Sequence, residues 1–138
     1  MKKVYLVVLS VFILLILGAC DSITSSSTDK IIFGTGTFEE GITNEKSTFS
    51  QDEDILLETY LDEPFGVRNI QYTLLQEDGN GGEVLYDDWE DSVDPTWDSL
   101  VSEFHLIEYD GTFEPGNYIL RMYKNDSELI SEGTFSIE

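Results

Sequence analysis

From Ile31 onward the apolar residues return at every second position, and that period restricts the chain to strands. Successive side chains on a strand point to opposite faces, whereas a helix brings apolar residues back at every third or fourth place. In Val67 to Gln76, Ile70, Tyr72 and Leu74 alternate with Gln71 and Thr73. In Tyr118 to Tyr123, Tyr118, Leu120 and Met122 oppose Ile119, Arg121 and Tyr123. Both segments read as half-buried strands. The same pattern predicts strands over Ile31–Phe38, Thr48–Ser50, Ile55–Leu61, Val84–Trp89, Glu103–Tyr109 and Leu129–Ile137. Turn clusters separate them: Asp62-Glu63-Pro64-Phe65-Gly66, Asp78-Gly79-Asn80-Gly81-Gly82, Asp94-Pro95, Asp110-Gly111 and Glu114-Pro115-Gly116-Asn117. One helical turn is expected, around Pro95 to Leu100. Seven or eight short strands so spaced predict an all-β, two-sheet antiparallel sandwich over residues 30–138.

The C-terminal third refines this reading. Phe113-Glu114-Pro115-Gly116-Asn117-Tyr118-Ile119-Leu120-Arg121-Met122-Tyr123 resembles the entry to the penultimate strand of immunoglobulin-like and fibronectin-III-like domains. There a Pro-Gly turn precedes a buried tyrosine whose hydroxyl bonds a backbone group a few residues upstream. The resemblance gives that role to Tyr118, although the spacing after Gly116 is shorter than in the commonest version. Lys124-Asn125-Asp126-Ser127-Glu128 reads as a hairpin turn, and Leu129, Phe135 and Ile137 are expected on one face of the closing strand. Such a fold hosts many unrelated roles, so it implies nothing about function.

The N-terminus carries an address. Lys2 and Lys3 precede an apolar run from Val4 to Leu17 broken by Ser10, and Gly18-Ala19 supply the small residues a signal peptidase requires. Leu17-Gly18-Ala19-Cys20 resembles the lipobox of bacterial lipoproteins. That resemblance implies a signal peptide over residues 1–19 and lipidation of Cys20, with acyl chains on its sulfur and new amino group. Read instead as a membrane span, Val4 to Ala19 would cover about 24 Å of helix against a hydrocarbon core of about 30 Å. Cleavage fits better. Acyl chains contribute about 0.8 kcal/mol per buried methylene, and two or more hold firmly. Cys20 is the chain's one cysteine, so lipidation also accounts for an odd thiol in an exported protein. Residues 20–29 are polar and of low complexity and read as a flexible tether, about 15–20 Å long on average. Asp21, directly after the cysteine, resembles the inner-membrane retention signal of some Gram-negative lipoproteins.

The net charge is −21, from 7 basic and 28 acidic residues, and removing Lys2 and Lys3 deepens the imbalance. Nucleic acid and anionic membrane surfaces are therefore poor partners. A solubility or high-salt adaptation explains the charge most simply, and salt should stabilise so repulsive a surface.

Few residues carry chemistry. His105 is the one histidine and is expected to point outward; it rules out a three-histidine metal site. Asp78-Gly79-Asn80-Gly81-Gly82 sits between strands and reads as a hairpin loop rather than a phosphate cradle. Asp87-Asp88 and Glu90-Asp91 are carboxylate pairs of the kind a small hydrolase uses, with no spacing that favours this over a solvated face. The densest oxygen-ligand cluster is Asp87, Asp88, Glu90, Asp91 and Asp94, followed by Asp98. As a loop it would offer the hard oxygens that calcium takes, though it does not match the EF-hand spacing. Trp89 and Trp97 flank this acidic stretch as candidate ligand-binding residues, one expected buried and Trp97 exposed. No cofactor is implied beyond that calcium. The sequence thus predicts a lipid-anchored, non-catalytic binding or structural module of the bacterial cell envelope, engaging an envelope protein. A carbohydrate binder with exposed aromatics and a carboxylate-dependent hydrolase are the alternatives.

Overall fold

The computed structural model describes residues 29–104 and 113–138. The signal peptide (residues 1–19), Cys20, the tether up to Thr28, His105 and the Asp110-Gly111 turn lie outside the described residues; Asp29, expected to close the tether, instead opens the first strand because it pairs with Ser131. Nine strands are present among the described residues: β1 (Asp29–Thr37), β2 (Gly41–Glu45), β3 (Thr48–Phe49), β4 (Ile55–Tyr60), β5 (Asn69–Glu77), β6 (Glu83–Ser92), β7 (Ser99–Phe104), β8 (Gly116–Lys124) and β9 (Glu128–Ile137). The described residues are all-β. They form a mixed sheet in the order β6-β5-β8-β9-β1-β4-β7, with β2 added to β1 and β3 to β9.

The sheet bends where β1 changes neighbours. Asp29 and Lys30 pair in parallel with Ser131 and Glu132 of β9, and from Ile31 to Gly34 the strand pairs antiparallel with β4. Gly133 makes this crossing feasible. A Cβ there would lie 2.6 Å from the Ile31 carbonyl oxygen and 2.7 Å from the Phe33 ring, so any side chain would push β1 away. The bend is also held by polar groups buried without loss. Ser131 Oγ donates to the Asp29 carbonyl (2.8 Å) and lies 2.8 Å from Thr59 Oγ1, both hydroxyls fully buried. With the Ser131 proton committed to Asp29, Thr59 donates to Ser131, and neither is left unsatisfied.

The core forms inside the bend. Ile70, Tyr72 and Leu74 of β5 and Tyr118, Leu120 and Met122 of β8 are buried, as their alternation requires. They meet Ile31 and Phe33 of β1, Ile55 and Leu57 of β4, and Phe135 and Ile137 of β9. Phe33 and Phe135 bring the two arms of the sheet together, with ring centroids 4.9 Å apart. Each such side chain contributes about 1.5–3 kcal/mol of transfer free energy.

Several expectations are corrected. The sheet is not wholly antiparallel, because β1 and β3 both run parallel to β9. The described strands number nine rather than seven or eight, since β2 (Gly-Ile-Thr-Asn-Glu) pairs with β1 while only Gly41 is buried. β7 covers Ser99–Phe104 instead of starting at Glu103. The expected helical turn near Pro95 is a tight turn leading into that strand. Leu129 does not share a face with Phe135 and Ile137. The register shifts so that Ile130 is an extra residue opposite Met122 and Tyr123, and the bulge turns Ile130 towards the core and leaves Leu129 exposed.

Candidate functional site

Tyr118 pins the turn that leads into β8. It is fully buried, and its hydroxyl donates to the Glu114 carbonyl oxygen at 2.6 Å, four residues upstream, as the sequence reading expected. Gln76 Nε2 donates to the same hydroxyl at 3.2 Å. The ring stacks on Phe135 (5.3 Å) and meets Tyr86 and Phe113 edge-on. Burial pushes the phenol well above its ordinary range, and the neighbouring Tyr86 and Glu114 add to the effect.

Trp97 is held quite differently. β6 ends at Ser92, and the next residue, Val93, is buried with its N–H on the Arg68 carbonyl (2.8 Å). Asp94 then folds back on itself: its Oδ1 accepts from Thr96 N (2.9 Å) and from Thr96 Oγ1 (2.7 Å). These bonds, the Thr96 hydroxyl first, hold the Asp94 carboxyl below its usual range. Trp97 N closes the turn on the Asp94 carbonyl at 3.0 Å, with Pro95 at the position where its fixed φ suits a β-turn. The Phe65 loop clamps this turn from beneath. Gly66 N donates to Pro95 O (2.9 Å), Phe65 N to Trp97 O (2.8 Å) and Leu61 N to Asp98 O (2.7 Å), while the Phe65 ring is buried. Gly66 has φ +67°, a left-handed conformation that glycine adopts without strain. Trp97 therefore has a pinned backbone on both sides and a side chain that is 49% exposed.

Trp89, its sequence partner, is half-buried. It sits across from Tyr72 in the β5–β6 ladder and stacks on that ring at 4.9 Å, 20° from parallel. Tyr72 is fully buried, and its hydroxyl has no hydrogen-bond partner among the described residues. Burial, and secondarily the charge of Asp91, drives that phenol far up from its ordinary value.

The acidic stretch is a strand rather than a loop up to Ser92. Asp87 and Asp91 lie across from Leu74 and Ile70, on the face they share with Trp89, while Asp88 and Glu90 lie across from Thr73 and Gln71 on the other. Asp94 stands apart in the Trp97 turn, and Asp98 follows it. The structure thus distributes the five expected calcium ligands over two faces of an edge strand and one turn. Among the described residues, no group of three or more His, Cys, Asp or Glu side chains gathers as a metal site. Inward-pointing acids on the outermost strand oppose pairing with another sheet edge, a role that needs no ligand.

Two features escaped the sequence reading. Phe65 supports Trp97 although it sits in a Pro-Gly turn cluster, where a large aromatic was the available signal. Arg121 gathers three strands, donating to Glu83 of β6 through Nη1 (2.7 Å) and Nη2 (2.9 Å) and to Glu132 of β9 through Nε (2.6 Å). Its outward position in an acidic chain was the only clue.

No protein-family model matches the chain, and no curated protein matches it. Among solved structures, the soluble domain of PmoD from a Methylocystis species superposes with a TM-score of 0.46 at 9% identity, over 78% of this chain and 89% of that one. A superoxide reductase (neelaredoxin) from Ignicoccus hospitalis gives 0.41 at 12% identity, over 67% and 76% respectively. Likenesses of this size assign neither a family nor a function.

Proposed function

We propose that this chain is a lipid-anchored, non-catalytic module of the bacterial cell envelope that engages an envelope protein through the turn bearing Trp97. In this reading the bent sheet is an immunoglobulin-like sandwich, its two layers being β6-β5-β8-β9 and β1-β4-β7. The lipobox at Leu17–Cys20 supports the location, and the Tyr118 hydroxyl bond supports the fold type. The observation that carries the binding role is Trp97. A ring half in water on a backbone held by four hydrogen bonds around Asp94, Pro95, Trp97 and Asp98 loses little conformational freedom when it docks. Tryptophan anchors of this kind concentrate binding energy at interfaces.

A photo-crosslinking amino acid placed at exposed Asp98, beside an intact Trp97, in whole cells tests the reading. A discrete protein adduct is expected at position 98, absent when the crosslinker sits at exposed Glu39 in the β1–β2 turn, and lost in the Trp97→Ala and Cys20→Ala chains. Adducts of equal yield at both positions, or none at either, would count against a docking role for Trp97.

A further inference from the structure

The hairpin between β5 and β6 has a feature that neither anchoring nor docking uses. Glu77 and Glu83 close the ladder, and Asp78 N donates to Gly82 O at 3.0 Å across the loop mouth. Inside, Asp78 Oδ1 accepts from Asn80 N (2.8 Å) and Gly82 N (2.9 Å), and these two N–H groups hold the Asp78 carboxyl below its usual range. The amide nitrogen between them, that of Gly81, has no hydrogen-bond partner among the described residues. Gly81 has φ +84°, and no neighbouring atom lies within 4 Å of where its Cβ would be. Asn80 is exposed, and its carboxamide is likewise free of partners among the described residues.

We infer that Asn80 is a site of spontaneous deamidation, a covalent modification that adds a negative charge at the tip of this loop. The Gly81 amide nitrogen attacks Asn80 Cγ. A C–N bond forms, the Cγ–NH2 bond breaks, and the amide proton leaves with the amino group as ammonia, closing a five-membered succinimide. Water then opens the ring at one of its two carbonyls. Opening at the side-chain carbonyl gives aspartate; opening at the backbone carbonyl gives isoaspartate, with the chain running through Cγ. Water is the only co-reactant, and nothing is oxidised or reduced.

The fold selects this asparagine over the others. The chain has five: Asn44, Asn69, Asn80, Asn117 and Asn125. Asn44, Asn69 and Asn117 lie within strands β2, β5 and β8, where the ladder fixes the backbone that must rotate for ring closure. Asn69 and Asn117 also commit their carboxamides, to Glu90 (2.8 Å) and Glu77 (2.9 Å). Asn125 donates to Glu128 at 3.4 Å and precedes Asp126, whose side chain crowds the attacking nitrogen. Asn80 alone is followed by glycine, which puts no Cβ in the path of attack.

The full chain in detergent, incubated at mildly alkaline pH and physiological temperature, provides the test by peptide mapping. The peptide containing Asn80 should gain the mass of an amide-to-acid conversion several-fold faster than any peptide containing another asparagine. It should yield both aspartate and isoaspartate, the latter detected by isoaspartate methylation, and the signal should vanish in Asn80→Gln. Deamidation at Asn80 no faster than at Asn125, or aspartate without isoaspartate, would overturn the inference.

Discussion

Replacing Tyr118 by phenylalanine isolates the hydroxyl that pins the turn before β8. The substitution keeps the ring and its contacts with Phe135, Tyr86 and Phe113, and removes the 2.6 Å bond to the Glu114 carbonyl and the 3.2 Å bond from Gln76. A net hydrogen bond is worth about 0.5–1.5 kcal/mol, and the second is long, so the pair amounts to about 1–2 kcal/mol. Glu114 is exposed, so water replaces the lost partner of its carbonyl and the cost stays within that range. At roughly 4–8 °C per kcal/mol for a domain of this size, the melting temperature should fall by about 5–15 °C. Tyr118→Ala also leaves a cavity beneath three aromatic rings and should cost about 3–5 kcal/mol. Urea denaturation followed by circular dichroism reads both, with an unchanged denaturant slope showing that the unfolding transition is the same. A phenylalanine variant within about 0.5 kcal/mol of the parent, the range of a neutral surface change, would refute the argument that this bond fixes the turn.

Trp97→Ala should leave the melting temperature nearly unchanged, whereas Trp89→Ala, which unstacks Tyr72, should cost about 2–4 kcal/mol in the same denaturation assay. Acid should destabilise the domain. Glu53 beside Lys46, Asp78 under its loop amides, Glu83 on Arg121 and Asp94 on Thr96 all have carboxyls held below their unfolded values. Their contribution is present above the unfolded values and is lost as pH falls through about 4, so a melting temperature rising on acidification would contradict it. Base acts through Tyr72 and Tyr118, whose raised folded values mean that the unfolded chain loses protons first. Stability should decline as pH climbs past about 10, more steeply in the parent than in Tyr118→Phe. Sodium chloride should raise the melting temperature between 0.01 and 1 M, over which the screening length shrinks from about 30 to 3 Å, and a flat response would show the acids to be locally compensated.

The strands that were legible in the sequence are those whose inward residues are large and apolar. Ile70, Tyr72 and Leu74 or Tyr118, Leu120 and Met122 cannot alternate so regularly without a core on one side. β2 escaped because it pairs with β1 while burying only Gly41, leaving no apolar period to read. The later half of β6 looked like a loop because Asp and Glu are poor strand formers, yet an edge strand with a ready partner in β5 tolerates them. The parallel pairings of β1 and β3 with β9 join residues about a hundred positions apart and leave no local trace. Leu129 was misplaced because a bulge breaks the period of two without changing the composition. Of the candidate site, the exposure of Trp97 could be anticipated from Pro95, but the support from Phe65 and Gly66 comes from a loop some thirty residues earlier.

The proposed attachment to the envelope through lipid on Cys20 is read by growing cells with a clickable fatty acid and following the label on this chain. Label is expected on the parent protein and none on Cys20→Ala, with an unprocessed precursor accumulating in the variant. Label retained on Cys20→Ala, or absent from the parent, would contradict it.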